Sequence, residues 1–180
     1  MSRTWWIVVA VVGVGVALAI LVGLFAYHAN GENRAANDAY ATSVCTAMAS
    51  WEQQLKKIGS IGGTSQADLE SKSSQVETAT KNLVDQIKAI PVPGTSDGKA
   101  ANQQLSQLTT DLTNTVQATK NGIATIQANP SAASISTVAV TLQPIYKSLI
   151  DSTKSAVSSL GNNAVPLSLA FRRSDTCKKL

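Results

Sequence analysis

The 180-residue sequence holds one histidine and two cysteines, and aromatic residues make up only 4% of it. With His28 the lone imidazole and Cys45 far from Cys177, no sequence-local zinc site can be written. A catalytic serine would need a base, and His28 borders a long apolar run, where a polar residue at headgroup level is the simpler role. Glycine-rich phosphate loops, GxSxG elbows, HExxH helices and calcium loops are all missing. No Glu-x-x-His pair of the di-iron bundles occurs either, and Asp68, Glu70, Glu77, Asp85, Asp111 and Asp151 fall beside lysines as expected surface charge. Nucleic-acid binding fits badly, because net charge is only +4 and Tyr40, Trp51, Tyr146 and Phe171 are the aromatics outside the apolar run. The expectation is a protein that is not an enzyme and has no cofactor, metal or nucleic acid.

What is present is distributed unevenly. Trp5 to Tyr27 contains no charged residue, and its 23 residues would make a helix of roughly 35 Å, enough to cross a hydrocarbon core of about 30 Å with some tilt. Trp5, Trp6 and Tyr27 stand at its ends, where amphipathic rings favour the membrane interface. Arg3 precedes the run, while Glu32, Arg34 and Asp38 follow it with no net positive charge, so the remainder should face outward from the cytoplasm. The run is longer than a signal-peptide core and lacks a good small-x-small exit around Leu24 to Asn30, which favours a retained anchor over a cleaved leader. Gly15, Ala19 and Gly23 recur every four residues and could let another membrane helix approach closely.

Beyond a linker over 28–32, aliphatic residues follow helical spacing in four long segments, while strand patterns are nearly absent. The first, Asn33 to Ile58, aligns Tyr40, Val44, Ala47, Trp51, Leu55 and Ile58 before Gly59. The second, Ser65 to Ile90, opens on a Ser65 and Asp68 capping arrangement and repeats Leu69, Val76, Leu83 and Ile90 every seven residues before Pro91. In the third, Ser96 to Asn129, the stripe is Ala101, Leu105, Leu108, Leu112, Val116, Thr119, Ile123 and Ile126. The fourth, Pro130 to Leu160, aligns Ile135, Val138, Leu142, Ile145, Leu149, Ser152, Ala156 and Leu160, and Asn129-Pro130 can open it. Four narrow stripes on segments joined by short connections predict an all-α domain over 33–161, an antiparallel four-helix bundle behind a transmembrane helix. Pro144 should kink the fourth helix, and a bend there or at Gly122 could open a pocket for a lipid or other small apolar ligand.

Outside the cytoplasm thiols tend to pair, so an even count of two suggests a Cys45 to Cys177 disulfide; free thiols or an intermolecular bond are the alternatives. The tail over 162–180 is long enough to climb beside the first helix to Cys45. Alternation of Val165, Leu167, Leu169 and Phe171 predicts that it does so as an extended segment. Arg172, Arg173, Lys178 and Lys179 make its end basic, suited to anionic lipid, an acidic wall polymer or an acidic partner.

The chain resembles uncharacterised actinobacterial cell-envelope proteins in its apolar N-terminal segment, in Val44-Cys45 shortly before Trp51, and in its Ser/Thr/Ala/Gln-rich helical body. The ending, with Phe171, Ser174 and Cys177 to Leu180, shares the same resemblance. It implies an envelope location and a disulfide-tied helical domain, and no activity. The expected role is a single-pass, extracytoplasmic interaction or accessory subunit of a membrane or envelope complex.

Overall fold

A computed structural model describes residues 34–59, 65–128, 131–162 and 166–180, and every regular element in them is helical. The apolar run over 5–27, with Gly15, Ala19 and Gly23, and the Asn129-Pro130 junction lie outside the described residues. Among the described residues, no helix is long and apolar enough to cross a membrane.

Five α-helices follow one another: α1 (Arg34–Ile58), α2 (Gln66–Ala89), α3 (Ser96–Ala128), α4 (Ala132–Gly161) and the short α5 (Pro166–Arg173), ahead of a 3-10 turn at Cys177–Lys179. Their ends are set locally. Gly59, at φ 75°, takes the left-handed conformation that ends α1, its N–H reaching Leu55 O at 3.2 Å. Ser65 caps α2, its hydroxyl accepting from the Asp68 N–H at 3.2 Å. Thr95 caps α3 in the same way, accepting from the Gly98 N–H at 3.0 Å. Gly98 is required there, because a Cβ would stand 2.4 Å from the Pro93 carbonyl oxygen.

Each long helix packs against its sequence neighbour. Trp51 on α1 donates from Nε1 to Thr80 Oγ1 on α2 at 3.2 Å, and Glu77 on α2 pairs with Lys120 on α3 at 2.8 Å. The expected stripes form the core: Tyr40, Val44, Trp51 and Leu55 of α1, Leu69, Val76 and Leu83 of α2, and Leu105, Leu108, Leu112, Val116 and Ile123 of α3 are all buried. α1 buries more than one stripe, adding Ala41, Cys45 and Met48, because α2, α5 and the 3-10 turn all pack on it.

Two expectations need correction. The fourth stripe holds at Leu142, Ile145, Leu149 and Leu160, but between the last two Thr153 and Val157 are the buried residues, while Ser152 and Ala156 are half-buried. α4 meets α5 as well as α3. The described tail over 166–180 is not extended either. From Pro166 it forms α5, with Leu167, Ala170 and Phe171 buried and Leu169 at the surface. Leu167, Ala170 and Phe171 sit at i, i+3 and i+4, Pro166 suits a first helical position, and Arg172 and Arg173 suit the negative end of a helix dipole. A helix also satisfies internally the backbone groups that a lone extended segment would leave unpaired.

α4 runs through Pro144 as one continuous helix, with Pro144 exposed between buried Leu142 and Ile145. The missing amide therefore falls on the solvent side, where water can satisfy the freed carbonyl. Gly122 is half-buried on α3, and a Cβ added to it would meet nothing within 4 Å.

Candidate functional site

The feature that organises the molecule is the seam where the C-terminal segment lies against α1 and the end of α4. α1 and α4 touch each other little, and α5 fills the space between their lower halves. Phe171, 1% exposed, is its main plug, and it meets the ring of Tyr40 edge-on with centroids 6.4 Å apart. Past the end of α5, Cys177 is joined to Cys45, with sulfurs 2.04 Å and Cα atoms 5.0 Å apart. The bond closes a sequence separation of 132 residues, so the two ends of the helical domain are covalently one.

Several polar groups in this seam lack partners. Asn37 Oδ1, Tyr40 OH and Ser174 Oγ are buried and have no hydrogen-bond partner in the structure. Burial without compensation pushes the Tyr40 phenol up to about 12.

The basic residues of the tail fall on different partners. Arg173 donates to Asp38 Oδ1 at 2.7 Å, and Arg34 Nε stands 3.9 Å from Asp38 Oδ2, so two guanidiniums share one carboxylate. Lys178 binds Asp175 at 2.9 Å, and this bond with the lysine charge holds the exposed Asp175 carboxyl below its ordinary range. Arg172 and Lys179 project to solvent. The four basic residues are therefore not one free cluster: Arg173 shares Asp38 with Arg34, while Lys178 is tied to its own turn.

Sequence reading missed Glu52. It is 6% exposed, on the α1 face otherwise taken by Trp51 and Leu55, and its Oε1 receives Lys56 Nζ at 2.8 Å and Lys154 Nζ at 3.3 Å. Burial raises its pKa, but the hydrogen bonds and charge of the two lysines outweigh that and leave it lowered. Nearby, the Tyr146 hydroxyl donates to the Leu55 carbonyl, so α4 is fixed to the upper part of α1 by polar contacts. Spacing gave one usable sign of this arrangement: Glu52 and Lys56 are four apart on one helix.

A groove of about 490 Å³ runs between α1 and α2. Gln54, Lys57, Ser74, Gln75 and Thr78 line it, with Ile58 and Ala79 as its apolar members. Among the described residues, no three His, Cys, Asp or Glu side chains gather where they could hold a metal ion. No protein-family model, curated protein or solved structure matches the chain.

Proposed function

We propose that the chain is a single-pass membrane protein whose helical domain lies outside the cytoplasm as a non-catalytic interaction or accessory subunit of an envelope or membrane complex. In this reading 5–27 is the anchor and the four long helices act as one antiparallel bundle. The observation that carries it is the Cys45 to Cys177 bond, because disulfides persist where thiols are oxidised and the apolar run supplies a route to that side of a membrane. The likeness to actinobacterial envelope proteins points to the same compartment.

The chemistry of the seam supports an interaction role over catalysis. In the seam Asp38 is held by Arg173, and higher on α1 Glu52 is held by Lys56 and Lys154, so these carboxylates serve structural pairs. A fastened helical body presents a fixed surface, and Gly15, Ala19 and Gly23 provide a face along which the anchor could pack against a partner helix. Binding of a small apolar ligand between the helices near Gly122 and Pro144 is the second reading, motivated by the glycine and proline inside α3 and α4.

Crosslinking in native membranes followed by mild detergent extraction tests the proposal. A discrete crosslinked complex is expected, and leucine at Gly15, Ala19 and Gly23 should deplete it while the circular dichroism of the domain stays the same. Recovery of monomer alone would overturn the interaction role.

A further inference from the structure

We propose that the end of the domain where α1 begins rests on anionic lipid headgroups through Arg34, Arg172 and Arg173, an inference that builds on the anchored reading above. Three placements bring these residues to one end. Arg34 opens α1, and Arg173 reaches from α5 to Asp38, one turn into α1, at 2.7 Å. Arg172 packs its stem beside Gly161 at the end of α4, its Cγ 3.5 Å from the position a Cβ of residue 161 would take. Asp38 is the carboxylate bound by this group, shared by two arginines, so three exposed arginines carry a net positive charge. The Arg34 side chain is 76% exposed and that of Arg173 40% exposed, so neither must leave the fold to reach a headgroup.

The tether makes a lipid surface the favoured occupant over an acidic protein or polymer. Residues 28–33 alone separate Tyr27 from Arg34, and a chain of that length reaches at most about 24 Å when extended. A helix ending at Tyr27 in the bilayer therefore holds Arg34 close to the headgroups at all times, which gives the contact the advantage of an intramolecular event. Each basic side chain near an anionic surface favours contact by about fivefold, and salt weakens this over a Debye length of about 8 Å. Guanidinium groups suit the partner, since their planar fork can donate two hydrogen bonds to one phosphate.

The test uses the full chain reconstituted in phosphatidylcholine vesicles and in vesicles with one third phosphatidylglycerol. Hydrogen exchange is followed in peptides covering 34–41 and 166–176, because the first amides of α1 lack intrahelical acceptors and report what covers them. Exchange at these peptides should slow by about fivefold or more in the anionic vesicles, return to the zwitterionic rate in 0.5 M salt, and slow less in an R34Q/R172Q double variant. Neither residue is buried, so the variant keeps its helical circular dichroism. Equal exchange in both lipids, with the protein still resistant to alkaline carbonate extraction, would overturn the headgroup contact and leave the anchor standing. Release by carbonate would remove the anchor and this contact with it. Equal slowing in zwitterionic vesicles on adding soluble polyglutamate would overturn the lipid assignment in favour of an acidic polymer.

Discussion

Replacing Tyr40 with phenylalanine should make the domain more stable. The residue is 3% exposed, its ring packs edge-on against Phe171, and its buried hydroxyl finds no partner. A buried hydroxyl left unpaired costs about 1–3 kcal/mol, while phenylalanine keeps the ring and its contact with Phe171. A gain of about 1 kcal/mol at neutral pH is expected, equivalent to a Tm rise of about 2–4 °C for a domain of this size. The effect should also depend on pH in a defined direction. Burial raises the phenol from 10.0 to about 12, so the folded state favours the neutral form. That contribution is intact below about pH 10 and is lost as pH climbs toward 12, a loss of about 2–3 kcal/mol that the Y40F variant, having no phenol to ionise, does not share. Urea denaturation followed by circular dichroism, at pH 7.5 and at steps from 9 to 11.5, measures both terms. A variant less stable than the parent, or a gap that stays constant across the alkaline range, would show that the hydroxyl is paired or solvated and would refute the reasoning.

Reduction, or alanine at both Cys45 and Cys177, should cost about 5 kcal/mol on the chain-entropy scale for a loop of 132 residues, and a thermal melt unaltered by reductant would contradict it. Glu52→Gln should cost about 1–2 kcal/mol near neutral pH through weakened bonds to Lys56 and Lys154. Because the Glu52 pKa is lowered from 4.5, that stabilisation is present above about pH 4.5 and lost as the pH falls further, so melts of variant and parent should converge in acid. Two glycines should respond oppositely to alanine: Gly98→Ala loses about 1–3 kcal/mol against the Pro93 carbonyl, whereas Gly122→Ala gains about 0.5–1 kcal/mol, both read by urea denaturation.

Much of the helical body was legible because each long helix carries more than three turns of a regular stripe, and a stripe of Leu and Val at threes and fours has one buried solution. Ser65 announced the start of α2 for an equally local reason, a hydroxyl three residues ahead of a free amide. The tail was misread because over so few residues the alternation of Leu167, Leu169 and Phe171 and the helical spacing of Leu167, Ala170 and Phe171 coexist. Only the groove between α1 and α4 decides between them, and that groove is a product of distant segments. Glu52 was illegible for a similar reason, since Lys154 approaches it from another helix. The need for glycine at 98 follows from the close return of the chain at Pro93, which no periodicity reports. The cysteine pair was readable from its even count of two, while the separation of Arg173 from Lys178 by their carboxylate partners was not.

Labelling of intact cells with a membrane-impermeant, amine-reactive reagent tests the outward, anchored placement of the domain. Lys57, Lys81, Lys88 and Lys147 are all exposed on its helices and should be modified before lysis, in protein that remains with the membrane after carbonate extraction. Modification of these lysines only after the cells are broken would contradict that placement.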